Sequence, residues 1–247
     1  MLKRLFDIIA SCIGLILVVP IILPAMFFVW WQDKHTPFYI APRIGKEGVP
    51  FKMVKLRSMV INADKSGVDS TGENDRRITC IGHFIRRYKI DELCQLWNVF
   101  VGDMSLVGPR PNVKRETDLY TPLERKLLSV KPGITDFASI VFSDEGDILK
   151  EQLDPDIAYN QLIRPGKSML GLFYVENSSL LLDIKLCFLT IIAILSRDSA
   201  LTGVQSILQT LGAPKKLLRI ASRSELLLPM PPPGGAQIVT SREITFI

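Results

Sequence analysis

The chain has 247 residues, enough for one sizeable domain and an appendage. Apolar residues make up 47% of it and the mean hydropathy is +0.24, high for a purely soluble protein, while a net charge of +5 and a pI near 9.0 favour anionic partners: nucleic acid, anionic lipid or phosphorylated substrates. Four scattered cysteines (Cys12, Cys80, Cys94, Cys187) and two histidines (His35, His83) lack the spacing of a zinc site, and read as free thiols of a reducing compartment.

Residues 8–31, IIASCIGLILVVPIILPAMFFVWW, carry no charge, and about 20 apolar residues are enough to cross a bilayer as a helix. The run is too long for the apolar part of a signal peptide. Pro20 removes a backbone donor and clashes with the preceding turn, so a kink is expected there. Basic residues flank both sides: Lys3 and Arg4 before, Arg43, Lys46, Lys52, Lys55 and Arg57 after. Positive flanks stay cytoplasmic. A re-entrant hairpin and a straight span are both open, and the flanks favour the hairpin. Asp7, at the edge of the run, is read as paired with Arg4 at headgroup level.

Phe38–Ile40 and residues 51–54 are strand-like, with Gly45 and Gly48 marking the turn between them. Residues 62–76 are polar and read as a loop. Helical spacing returns at Ile78, Ile81, Phe84, Ile85 and Tyr88. A second helix carries Leu93, Leu96, Trp97 and Phe100 on one side and starts with two acids, Asp91 and Glu92. Two readings of that pair stand side by side. It is a helix N-terminus with surface salt bridges to Arg86 or Arg87, or it is a site. GPRP at 108–111 holds Arg110 on a stiff backbone, suited to bidentate phosphate binding.

KPGITDFASIVF, at 131–142, combines a turn with a strand-like run. The acids Asp144, Glu145, Asp147 and Glu151 read as a solvated helix start, with a metal site as the alternative. Residues 179–196 form an apolar helix, interfacial or in the core against a membrane face. Past residue 200, KKLLRIASRSELLLP is basic and amphipathic, MPPPGGAQ is a linker or turn, and QIVTSREITFI suits one terminal strand.

From KRLFD at 3–7, through DELCQLWNVFVGDMSLVGPRP and KPGIT at 131–135, to LLLDIKL at 180–186, the chain resembles the bacterial sugar transferases, monotopic phosphoglycosyl transferases that start glycan assembly. The resemblance implies an α+β protein: a re-entrant membrane helix over residues 1–35 broken at Pro20, a compact, mostly helical catalytic domain over 36–200 with short strands and interfacial amphipathic helices, and an extension over 201–247 that is a candidate for pairing with a second copy. It implies that Asp91 is a nucleophile and Glu92 its neighbour in metal and proton chemistry, with both as Mg²⁺ ligands and Arg86 and Arg110 as phosphate ligands. The implied partners are a UDP-sugar, polyprenyl (undecaprenyl) phosphate and lipids of the bacterial inner membrane, with the site facing the cytoplasm. Two departures stand out. Val19 replaces the serine frequent before the helix-breaking proline, and DFASIVFSDEG replaces a GWAQVNGR-type run in a region expected to touch the sugar or nucleotide. The rival class is a non-enzymatic membrane-anchored module that binds anionic lipid or a partner protein. Nucleic acid is not expected as a partner, because the basic residues are dispersed and it leaves the apolar anchor unexplained.

Overall fold

The computed structural model describes residues 1–63, 75–150 and 152–241. Most of the expected 62–76 loop, Glu151, and residues 242–247 of the expected terminal strand lie outside the described residues.

Helix α1 (Leu2–Asp33) follows from the unbroken apolar run and is capped by Lys34 in the left-handed conformation (φ 60°). At 1.5 Å per residue its 32 residues measure about 48 Å. It is long and apolar enough to cross a membrane, with a mean hydropathy of 2.8 and 11% burial in its most apolar window. The sequence points to a break at Pro20, yet α1 continues as helix through Pro20 and Pro24. Each ring costs one backbone hydrogen bond and crowds one carbonyl. Here both rings sit on the exposed face, where nothing packs against the disturbed turn.

One face of α1 lies against the rest of the protein. Lys3 donates to Val107 O (3.1 Å) and pairs with buried Asp183, and Arg4 donates to Val99 O and Phe100 O (2.6 and 2.7 Å). Asp7 is 2% exposed and accepts from Ser105 Oγ and Leu106 N (3.1 and 3.0 Å). The expected Asp7–Arg4 pair is therefore not formed. Both side chains reach across to the domain, because docked backbone groups are closer partners than a neighbour one turn away. Further along, Ile22, Ala25, Met26 and Val29 pack on Leu56, Ile85, Ile90 and Cys94.

The two expected strands form a hairpin, β1 (Phe38–Ile44) and β2 (Pro50–Leu56), antiparallel with Phe38 opposite Leu56. Then come α2 (Cys80–Arg87), α3 (Ile90–Leu93) and α4 (Gln95–Val101). Thr79 caps α2, accepting from Gly82 N at 2.9 Å. The orientation of α4 reverses the simple reading of its apolar stripe. Gln95, Asn98 and Val99 are buried, while Trp97 and Phe100 are exposed. The inward polar face is used: Asn98 accepts from Val54 N (2.9 Å) and donates to Lys52 O (2.8 Å), tying α4 to β2.

A second sheet was not legible in the sequence. β3 (Ser105–Val107) runs parallel to β4 (Gly133–Thr135). The backbones approach so closely at Gly108 and Gly133 that a Cβ on Gly133 would lie 2.1 Å from Gly108 N. Helix α5 (Lys114–Thr117) lies between the two strands in sequence. After β4 the strand-like run of 137–142 is instead helix α6 (Phe137–Val141), because Asp136 caps it, accepting from Ser139 N at 2.7 Å.

The main core follows: α7 (Glu145–Leu149), α8 (Pro155–Ala158), α9 (Arg164–Asn177), α10 (Leu180–Leu195), α11 (Arg197–Thr210) and α12 (Lys215–Ser222). Phe137, Ile140, Leu170, Tyr174, Leu186, Val204, Leu208 and Ala221 share this one cluster. No structural boundary falls at residue 200. Ala200, Leu201, Val204 and Leu208 recur at helical spacing and bury the inner face of α11, so residues 201–222 are core. The tail beyond them folds back on its own chain through Met230 N to Gln161 O (3.0 Å) and Gln161 Nε2 to Val239 O (2.6 Å). Residues 237–241 form no strand. The outer face of α10 leaves Leu181, Phe188, Ile191, Ile194 and Leu195 exposed. The molecule is a mixed α+β fold with a long apolar N-terminal helix and a compact, mostly helical domain.

Candidate active site

Four elements converge on the acid pair. Lys89, in the left-handed conformation (φ 52°), turns the chain from α2 into α3. Ile90 anchors α3 in the core shared with α1, which fixes Asp91 and Glu92 in its first turn. Neither acid caps the helix, and the expected surface salt bridge to Arg86 or Arg87 is not made. Arg87 instead lies 5.8 Å from the Tyr88 ring. β2 brings up Lys55, and the turn after β3 brings up Arg110. That turn is pinned to β4 by Gly108 N to Thr135 O and by Gly133 N to Pro109 O, both 3.0 Å.

The two acids live in different surroundings. Glu92 accepts from Arg110 Nη2 at 2.6 Å. Asp91 is buried, 8% exposed, and accepts no hydrogen bond among the described residues. Burial pushes its carboxyl up; Lys55 opposes this, Glu92 adds to it, and Arg86 and Arg110 oppose it. Burial would also raise Glu92, but Arg110, Lys55 and Lys89 outweigh it and hold that carboxyl well below the usual range. Burial and Arg110 push Lys55 down to about 8, against the pull of Glu92 and Asp91. Glu92 raises Arg110 further. Arg86 is half-buried near Asp91 and makes no ion pair among the described residues.

The structure therefore brings Asp91, Glu92, Arg86 and Arg110 together, while Pro20 lies apart from them in α1. Sequence reading missed Lys55 as part of the cluster, treating it only as a basic flank. No local signal marked it, since its strand β2 shows no clean alternation of buried and exposed residues around it. Among the described residues, Asp144, Glu145 and Asp147 do not form a metal cage. Asp144 pairs with Arg197 (3.0 Å) and Arg223 (2.8 Å), Glu145 pairs with Lys167, and among the described residues no three His, Cys, Asp or Glu side chains converge.

Beyond Arg110 opens a cleft walled by Asn112, Tyr120, Asp136, Tyr159, Lys167 and Gly171. Asp136 is 1% exposed and uses Oδ1 for both Ser139 N and Ser139 Oγ (2.7 Å each). Burial raises its carboxyl, with those hydrogen bonds opposing.

An unpaired carboxylate flanked by cations suits attack on an anionic phosphorus centre. Comparison with known proteins agrees in kind. Residues 1–197 match the family described as bacterial sugar transferase. The chain is 35% identical over 217 residues to the UDP-galactose-lipid carrier transferase of Erwinia amylovora, covering 81% of this chain and 41% of that protein. It is 37% identical over 193 residues to the UDP-glucose:undecaprenyl-phosphate glucose-1-phosphate transferase of Klebsiella pneumoniae, covering 76% and 39%. It is 34% identical over 215 residues to the exopolysaccharide production protein ExoY of Rhizobium meliloti, covering 81% and 88%. The chain spans about two fifths of the length of the first two relatives and most of the third. With its fold and acid pair in place, a match over four fifths of its length makes this chain a member of the bacterial sugar transferase family.

Proposed function

We propose that this chain transfers a sugar 1-phosphate from a UDP-sugar to a polyprenyl phosphate such as undecaprenyl phosphate, through a covalent phosphosugar on Asp91, as the first step of building a surface polysaccharide. The observation that carries the reading is the buried Asp91 carboxylate, free of hydrogen bonds beside the Glu92–Arg110 pair. An oxygen of Asp91 attacks the β-phosphorus. The bond from that phosphorus to the bridging oxygen breaks, and UMP leaves with the electron pair. A phosphate oxygen of the polyprenyl phosphate then attacks the same phosphorus, the bond to Asp91 breaks, and the carboxylate is restored. Arg110 and Arg86 hold the diphosphate oxygens, and Lys55 adds a third positive charge.

Two adjacent carboxylates fit Mg²⁺ of the kind held by one or two acids, water and substrate phosphate, and do not fit a closed protein cage. Asp91 and Glu92 would hold it. When bound it neutralises diphosphate charge.

The site works at the cytoplasmic face of the inner membrane, where both the nucleotide sugar and the lipid can reach it. The outer faces of α1 and α10, with Trp97 and Phe100 of α4, supply the apolar contact. Pro20 and Pro24 lie four residues apart on the exposed face of α1. Each ring crowds the carbonyl four residues before it, so a bend at these prolines would turn α1 toward the domain. The basic residues on both flanks of α1 support a re-entrant course with both ends cytoplasmic.

The test is incubation with labelled UDP-sugar in the absence of lipid acceptor, followed by peptide mass spectrometry. A phosphosugar on the peptide that contains Asp91 is expected. Active protein that never carries this adduct refutes the covalent route. Membrane binding without UMP release from any UDP-sugar points to a membrane-anchored binding module instead.

A further inference from the structure

We infer that Arg223, which lies beyond the residues matched to the family, is a positioning residue for the transfer site: it clamps the turn at 142–144 and so holds Glu145 and Lys167 beside Arg110. This rests on the proposed transferase reading and extends it to a residue outside the cluster around Asp91.

The turn is gripped by two arginines. Arg223, at the end of α12, donates from Nη2 to Asp144 Oδ2 (2.8 Å), and Arg197, at the start of α11, reaches the same oxygen (3.0 Å). Arg197 also donates to Val141 O and Ser143 Oγ (3.3 Å each). The Arg223 guanidinium lies 5.2 Å from the centre of the Phe142 ring. Gly166 of α9 comes so close to that ring that a Cβ on it would sit 2.6 Å from Phe142 Cζ. Phe142 therefore touches Arg223 and α9 alike.

The residues next to these contacts form the ion pair that borders the site. Glu145 follows Asp144, Lys167 follows Gly166, and the two pair with each other. Lys167 walls the same cleft as Arg110. Glu145 is near enough to Arg110 and Lys89 for their charges to act on it. Such interactions depend on distance, so a displaced turn changes the field where Arg110 holds the diphosphate.

Arg223 also carries the marks of a residue kept for where it places its neighbours. Its backbone is left-handed (φ 52°), a conformation that costs a non-glycine residue energy. Its side chain is 10% exposed, and its Nε and Nη1, like Asp144 Oδ1, are buried without a partner among the described residues. Buried polar groups are nearly always paired, and a contact built for stability alone would pair these. Arg219, one turn earlier on α12, shows the contrast: it pairs with Glu225 in the open, at 72% and 60% exposure.

The experiment measures UMP release by the full chain in a membrane mimetic with undecaprenyl phosphate, varying whichever of UDP-glucose, UDP-galactose and UDP-N-acetylgalactosamine wild type uses best, and records the melting of each protein. Arg223→Ala should raise KM for the UDP-sugar by about five-fold or more and change kcat by less than about two-fold. Arg223→Gln keeps a donor for Asp144, guards against loss of fold in the alanine variant, and should raise KM as well. Arg223→Lys restores the charge and should recover most of the loss. Arg219→Ala should keep wild-type kinetics. In a Glu145→Gln background Arg223→Ala should add less than about two-fold, because the clamp acts through that pair. A lowered melting temperature with wild-type KM in the Arg223 variants would make the clamp structural only and overturn the assignment. Full additivity with Glu145→Gln would overturn it too, since Arg223 would then act elsewhere. If wild type releases no UMP from any of these sugars, the transferase reading fails and the assignment with it, whereas unchanged kinetics in variants of an active enzyme sink the assignment alone.

Discussion

Arg164 and Glu124 offer the sharpest energetic test of the scaffold behind the cleft. Their side chains are 5% and 0% exposed. Glu124 accepts from Arg164 Nε (3.0 Å) and Nη2 (2.6 Å), from Ser168 Oγ (2.7 Å) and from Thr121 N (3.0 Å). Arg164 also donates to Leu119 O (2.6 Å). Arg164→Met leaves a carboxylate buried with two neutral donors and no cation. Removing one partner of such a pair costs about 3–5 kcal/mol. For a chain of this size that lowers Tm by roughly 6–20 °C. Adding Glu124→Gln removes the stranded charge while keeping an acceptor for Thr121, and should recover about 1–3 kcal/mol. The exposed pair Lys114–Asp118, 75% and 57% exposed, is the control. Lys114→Met should cost no more than about 0.5 kcal/mol. Scanning calorimetry or circular dichroism of the three variants in one detergent reads the result. An Arg164→Met protein that melts within about 2 °C of wild type would refute this account of the buried network, as would a double variant no better than the single one.

Asp91→Asn should reduce sugar-phosphate transfer by about 10³-fold or more while leaving the melting profile and membrane binding intact; radiolabel transfer to lipid checks it. Lys55 has its ammonium pushed down to about 8 from the ordinary 10.5. Between those values the unfolded chain holds more protons than the folded one, so Lys55 contributes a rise in stability with pH across about pH 8 to 10.5. Lys55→Met should flatten that rise in denaturation measured at stepped pH, and an unchanged profile would contradict the placement of Lys55. Gly133→Ala would set a Cβ 2.1 Å from Gly108 N. It should separate β3 from β4, displace Arg110 and weaken UDP binding, read by calorimetry.

How much of this was legible in the sequence depended on the range of the interaction. The hairpin was readable because Gly45 and Gly48 stand between two strand-like runs, and α1 because its apolar run is uninterrupted. The inward turn of Asn98 was not, because its partners are backbone atoms of β2 some 45 residues earlier. The same holds for Arg4 and Asp7, which looked like a local pair and instead reach β3 and α4, about 95 to 99 residues away. The parallel β3–β4 pair is three residues long on each side, too short to show a period, and was visible only as glycine and proline punctuation. Of the candidate site, Asp91, Glu92 and Arg110 carried a local signature. Lys55 did not, because a lysine in a strand reads as a surface residue until the fold sets it beside two acids.

The contrast between Asp91 and Glu92 bears directly on which of them is fit to attack. Adjacent carboxylates repel each other, so they give up their protons in two steps even in like surroundings. Here Arg110 takes one of them alone, and the two acids are pushed in opposite directions. A carboxylate made more basic by burial is the stronger nucleophile toward phosphorus, and its lack of hydrogen bonds means that none has to break before it attacks. A carboxylate held strongly acidic is a poor nucleophile and a dependable fixed anion, suited to orienting a guanidinium or holding a cation. Environments that drive two acids apart assign them different tasks. On the proposed mechanism this contrast assigns the attack to Asp91 and leaves Glu92 to keep Arg110 aimed at the phosphate, because Arg110 reaches Glu92 and no hydrogen bond holds Asp91 among the described residues.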